Sequence, residues 1–317
     1  MDYFKNKSVL DLSKLHDMAF FSTSKATKTT FYQSMRRIEK LYNKPLEGIQ
    51  LSFIDNPKEF IEKIEDSKYS KNTELTTITN ILKLLKMIDA PLITYNKWLT
   101  ILKEKTAERT KKDDSILKQK LKVLMNWTDI KESINKNIHT YIDDKGVKID
   151  LDTFQNFLIL ALFTIQIPVR ISNYVNMKVV EDDTYIDDKS NFLVIDDNGY
   201  KFVFNKYRTS HIVGKKVLFI TEPSLQYLID KWLAKYNRES NNFLIISQKN
   251  KRPMNGKEIA RSLHDATEDI FGSPLTVDNL RASYMKHIAD LDPNFQDKLD
   301  IANILGYSTT DVLDKHN

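Results

Sequence analysis

The chain has 317 residues, 41% hydrophobic, 29% charged and 10% aromatic, with a formal net charge of +5. That length holds two domains, each with its own core, and the mild positive excess suits a polyanionic partner. The absence of cysteine excludes disulfides and thiolate metal sites, seven glycines argue against a glycine-rich phosphate loop, and no apolar run is long enough for a membrane span.

The first part reads as helical throughout. Thr23 or Ser24 caps a helix over residues 25–43, with Phe31, Met35, Ile38, Leu41 and Tyr42 at helical spacing. Asn56-Pro57 opens a short helix carrying Phe60, Ile61 and Ile64, since a first turn does not need the N–H that proline lacks. Asn72 is expected to cap the next, with the stripe Leu75, Ile78, Ile81, Leu82 and Leu85. Pro91 ends it, and further helices are expected over 95–109 and 115–134. Lys103, Lys105, Arg109, Lys111, Lys112, Lys118, Lys120 and Lys122 crowd this stretch, as a polyanion-binding run or a solvated helix face.

Polar turn residues from Asp143 to Gly146 mark a boundary, giving a helical domain over 1–140 and a second domain over 146–317. A strongly apolar helix over 151–165 follows; Gln155, Asn156, Gln166 and Pro168 make its neighbourhood a buried core rather than a span. A shorter helix starts at Pro168. Runs at 192–195, 201–204 and 215–220 read as strands, the first two joined by the turn Asp197-Asn198-Gly199. Helices resume over 222–236, 255–271 and 277–289, with a short apolar run at 243–246. The expected fold is mainly α with a small antiparallel sheet.

Three places in the second domain carry chemistry-bearing residues in order. They are Pro168-Val-Arg170-Ile-Ser-Asn-Tyr, then Thr276-Val-Asp278-Asn-Leu-Arg281-Ala-Ser-Tyr, then Ile304-Leu-Gly-Tyr307-Ser. These resemble the boxes of the tyrosine recombinases (phage-integrase type), and the helices opening near Ala26 and Asn72 resemble that family's core-binding domain. In its abundance of Lys, Asn and Ile the chain is similar to virus- and transposon-encoded members. The resemblance implies the DNA breaking-rejoining fold, a partner in double-stranded DNA held between two domains, and no cofactor. It also implies tetramers on paired sites in active members, and an intracellular setting in cytoplasm, nucleus or the host of a virus. No metal is implied, and six scattered histidines lack ligand spacing.

The family attacks a DNA phosphodiester with a tyrosine. Two guanidiniums suit the charged oxygens of that transition state, and each such group contributes on the order of 2–4 kcal/mol. By resemblance these are Arg170 and Arg281. A lysine that protonates the leaving oxygen falls at Arg208 by register, with Lys206 two residues away on the same strand face. Departures are plain: Asp278 stands in a histidine place, Tyr307 in a histidine or tryptophan place, and the expected nucleophile falls near His316 with no tyrosine after Tyr307. Either a tyrosine lies past Asn317 or another residue replaces it, with His316 and Tyr307 as candidates. Cationic candidates for DNA contact are Lys25, Lys28, Lys71, Arg109, Lys111, Lys112 and Lys118. Three readings follow: a site-specific recombinase or integrase, a catalytically inactive descendant that binds DNA, and a helical protein-interaction adaptor.

Overall fold

The computed structural model describes residues 25–45, 52–121, 124–143, 146–147, 150–235 and 242–306. Its contacts divide the chain into two units, Met1–Lys120 and Leu121–Asn317.

In the first unit, α1 (Lys25–Tyr42), α2 (Ser52–Asp55), α3 (Pro57–Glu65), α4 (Lys71–Met87) and α5 (Leu92–Leu121) follow in order. Their apolar faces meet where Phe53 stacks on Phe60 at 5.6 Å between ring centroids and Phe60 meets Trp98 edge-on at 5.4 Å. The buried Trp98 indole donates to the Ile54 carbonyl at 2.8 Å, which satisfies its one polar atom. Asn80 on α4 donates to Ser34 on α1 at 2.8 Å, tying the two helices inside the core. Ser70, not Asn72, caps α4, because its hydroxyl already accepts from the Thr73 amide at 3.3 Å. The two helices expected between 95 and 134 are also corrected. One helix, α5, runs through 109–115, where neither glycine nor proline interrupts it, and Asn126 then caps a separate one.

That separate helix, α6 (Trp127–Tyr141), packs in the second unit, earlier in the chain than the boundary expected after residue 140. Its stripe Trp127, Ile130, Ile134 and Ile138 belongs to the second core, and the Trp127 ring meets Tyr284 at 5.0 Å. After the short hairpin β1 (Ile142–Asp143) and β2 (Gly146–Val147) comes α7 (Leu151–Thr164), buried from Phe154 to its end apart from the half-buried Asn156. A helix buried all round must satisfy its own polar side chains. Gln155 does so by donating to the Ile246 carbonyl at 2.8 Å and accepting from the Ile246 amide at 2.9 Å.

Next come α8 (Ile171–Tyr174), β3 (Lys178–Val180), β4 (Asn191–Asp196), β5 (Gly199–Phe204), α9 (Ser210–Val213) and β6 (Lys216–Phe219). The strands form one sheet in the order β3-β4-β5-β6. The sheet is mixed, which corrects the antiparallel expectation: β3 pairs parallel with β4, while β4-β5 and β5-β6 are antiparallel. The parallel pair is possible because residues 181–190 carry the chain back before β4 starts. Leu193, Phe202 and Phe204 face the main core, and Phe192, Val194 and Val203 form a smaller cluster. The expected hairpin turn is present, with Asp196 paired to Gly199 and Gly199 at φ 107°, a conformation that favours glycine.

The chain ends its described part with α10 (Pro223–Lys235), β7 (Ile246–Ser247), β8 (Arg252–Pro253), α11 (Gly256–Phe271), α12 (Val277–Asp290) and α13 (Phe295–Leu305). Capping boxes at Asn255/Glu258 and Thr276/Asn279 open α11 and α12. At Gly256 α11 lies close to α8: a Cβ there would meet Ile171 at 3.6 Å, an ordinary contact. Among the described residues no helix is long and apolar enough to cross a membrane.

Candidate functional site

Arg170 stands at the N-cap of α8, in extended backbone (φ −75°, ψ 151°). Half-buried, it reaches the Gly306 carbonyl with Nη2 at 3.5 Å, the outer limit of a hydrogen bond.

Arg281 comes from α12 and is 1% exposed. Its Nη1 donates to the Pro168 carbonyl at 3.0 Å and its Nη2 to the Leu305 carbonyl at 2.8 Å. One guanidinium therefore ties the segment that presents Arg170 to the end of α13. Hydrogen bonds from a charged donor contribute roughly 1.5–3 kcal/mol each, against the cost of burying the charge. The burial had a sequence signal. Val277, Leu280, Arg281 and Tyr284 fall at i, i+3, i+4 and i+7, so the arginine sits within the apolar stripe.

A third cation joins them that sequence reasoning missed. Lys216, the first residue of β6, donates Nζ to the Asn303 carbonyl and lies 4.5 Å over the Tyr207 ring. Burial pushes its ammonium below the usual lysine pKa. Three cations from α8, α12 and β6 thus meet the carbonyls of Asn303, Leu305 and Gly306, at the negative end of the α13 dipole. Gly306 ends the helix at φ 70°. Thr209 Oγ1 lies 3.7 Å and Arg170 Nε 3.9 Å from where a Cβ on Gly306 would stand.

Two clefts open beside this junction. The smaller, about 330 Å³, is lined by Arg170, Ser172, His264, Thr276 and Asp278 among others. Asp278 is exposed in the first turn of α12, where a carboxylate interacts favourably with the helix dipole. The larger, about 740 Å³, is lined by Ser172, Lys178, Lys189, Lys206 and Arg208, together with Asn191 and Tyr207. Ser172 lines both.

Of the residues singled out from sequence, Arg170 and Asp278 therefore share one cleft, Lys206 and Arg208 share the other, and Arg281 is buried behind them. The strand placement of Lys206 and Arg208 is corrected. β5 ends at Phe204, and both residues lie in the bend that follows, because the Asn191 side chain takes the Asn205 and Lys206 amides at 2.9 and 2.7 Å. Nothing in the sequence marked Asn191, which reads as a turn residue before an apolar run. Tyr307 and His316 lie outside the described residues.

In the first unit, Lys71 pairs with the buried Glu74 at 2.9 Å, Lys28 is half-exposed on α1, and Arg109 is exposed on α5. The side chains of Lys25, Lys111, Lys112 and Lys118 lie outside the described residues. Among the described residues no group of three His, Asp or Glu could hold a metal ion.

No protein-family model matches the chain, and no curated protein matches it. Several solved structures are similar in fold. The XerA recombinase is 13% identical, over 96% of this chain and 90% of that one, with a TM-score of 0.39. The Tn1549 transposon integrase bound to transposon right-end DNA is 14% identical, over 96% and 92%, with a TM-score of 0.42. The same integrase with circular-intermediate DNA is 14% identical, over 92% and 94%, at 0.39. Likeness of this degree assigns no residue and no activity to this chain.

Proposed function

We propose that the chain is a tyrosine-recombinase-like protein that binds duplex DNA and holds a phosphodiester beside Arg170. The observation that carries this reading is the convergence of Arg170 and Arg281, distant in sequence, on the last turn of the helix that leads into Tyr307. A phosphodiester carries its charge on two non-bridging oxygens, and a guanidinium presents paired donors at matching spacing. Arg170 lines an open cleft and is the arginine placed to meet such a group directly; Arg281 acts through the main chain that holds Arg170. With strand transfer, the same clamp would stabilise the pentavalent phosphorane.

A second reading, DNA binding without cleavage, draws on Asp278. A carboxylate in the Arg170 cleft repels a phosphate.

Two measurements test these readings. Binding to mixed-sequence duplex should weaken steeply as salt rises, because phosphate contacts release counterions. A nicked suicide duplex incubated with the protein should trap a covalent protein–DNA adduct in the strand-transfer reading. Intact binding with no adduct sinks strand transfer and leaves the binding reading. Binding that ignores salt sinks both.

A further inference from the structure

The larger cleft has a construction of its own. Lys178, Lys189, Lys206 and Arg208 line it, and no carboxylate is among its described lining residues. Lys189, Lys206 and Arg208 are exposed, whereas Lys178 is half-buried, 3.4 Å from Asp187 and 5.6 Å from the centre of the Phe192 ring. At the far end of the same sheet a second cleft is lined by Glu181, Asp182, Asp183, Asp196 and Asp197. Lys201 lies among these carboxylates, 2.8 Å from Asp183 and 2.9 Å from Asp196, and partly neutralises them, whereas the described lining of the basic cleft holds cations without a carboxylate.

The wall of the basic cleft is held from behind. Asn191 is 4% exposed and uses its whole amide. Its Oδ1 accepts from the Asn205 and Lys206 amides, and its Nδ2 donates to the Asn173 carbonyl at 2.8 Å and the Lys206 carbonyl at 2.9 Å. Asn205 in turn donates to the Asp187 and Ser190 carbonyls at 2.7 and 3.1 Å, and Tyr207 to the Gly214 carbonyl at 2.7 Å. The bend carrying Lys206 and Arg208 is therefore braced against α8 and against the loop carrying Lys189. The brace fixes the backbone of this wall before a ligand arrives, so the ordering cost falls on the lysine and arginine side chains alone.

We infer that this cleft is a second phosphate subsite, taking the backbone of one nucleic-acid strand next to the phosphate held at Arg170. It rests on the DNA-binding reading and deepens it. Ser172, which lines both clefts, marks the shared rim along which consecutive phosphates run. Lys189, Lys206 and Arg208 supply the contacts, and Asn191 is a positioning residue.

The test is the salt dependence of binding between the full chain and a fluorescently labelled duplex of mixed sequence. The triple variant Lys189→Gln, Lys206→Gln, Arg208→Gln is compared with a control triple, Lys235→Gln, Lys249→Gln, Lys257→Gln, which removes equal charge from exposed sites outside the cleft. The cleft triple is expected to flatten the slope of log affinity against log salt by about 2–3, near 0.9 per lost phosphate contact, while the control changes it by less than about 1. Asn191→Leu adds a check that charge does not explain. It is uncharged and of similar size but loses the donors and the acceptor that hold the bend, and should weaken binding at fixed salt while the three cations remain. Equal flattening in both triples overturns the subsite and leaves the DNA reading standing. A wild-type protein with no salt-dependent duplex binding overturns both.

Discussion

Arg281 and Arg208 carry the same charge in opposite circumstances. Arg281 is 1% exposed and donates to the main chain on two sides; Arg208 is exposed in a bend with an open cleft before it. A guanidinium committed to carbonyls from two segments contributes to the shape of a site. One that faces water over a rigid backbone contributes to what the site receives. Motif position alone separates these uses poorly, because both residues fall where a phosphate ligand is expected.

Arg281→Ala gives the sharpest test of that contrast. It strips two carbonyls of their donors and opens a cavity, so chemical denaturation should register a loss of about 3–5 kcal/mol. Arg208→Ala should stay within about 0.5 kcal/mol of the parent. Equal stability losses would break the comparison. Asn191→Leu comes next: it leaves two amides and two carbonyls in the brace unpaired, for a loss of about 2–4 kcal/mol by the same measurement. Gly306→Ala should cost about 1–2 kcal/mol, because the backbone there is left-handed while the space for a Cβ is ordinary. A larger loss would mean that the three cations depend on the exact path of that turn.

The smallest effect is expected at the start of α11. Its bonds to Arg252, and then to the Asn255 amide, hold the Glu258 carboxyl down at about 2, from an ordinary 4.5. A depressed carboxylate pKa stabilises the fold above the unfolded value and loses that contribution as pH falls toward the folded one. Thermal melting of the parent should therefore fall off between about pH 4.5 and 2 slightly more steeply than that of Glu258→Gln. Parallel curves would deny the Arg252 pair any part in acid stability.

Much of this was legible. The stripes of α1 and α4, the apolar run of α7 and the Asp197-Asn198-Gly199 turn follow from composition, periodicity and turn chemistry, which are local. The parallel strand β3 was not, since three residues hold no alternation and its neighbour β4 lies beyond a long loop. Nor was the unit to which α6 belongs: an apolar stripe says that a face is buried but not against what. In the site, the order of Arg170, Asp278 and Arg281 could be read, and so could the burial of Arg281. The brace at Asn191 and the seat of Lys216 could not, because each depends on main-chain atoms from distant segments.

One of the donors that hold the end of α13 is also the one a phosphate would recruit. An anion that draws Arg170 toward itself competes with the Gly306 carbonyl, and part of its attraction is spent on the hydrogen bond it displaces. Thermodynamic reciprocity then fixes the return effect. Any ligand weakened by this competition loosens the last turn of α13 by an equal free energy, and any partner that tightens the turn raises the ligand's dissociation constant to match. Site occupancy and the hold on the chain leading to Tyr307 are thus two readings of one equilibrium.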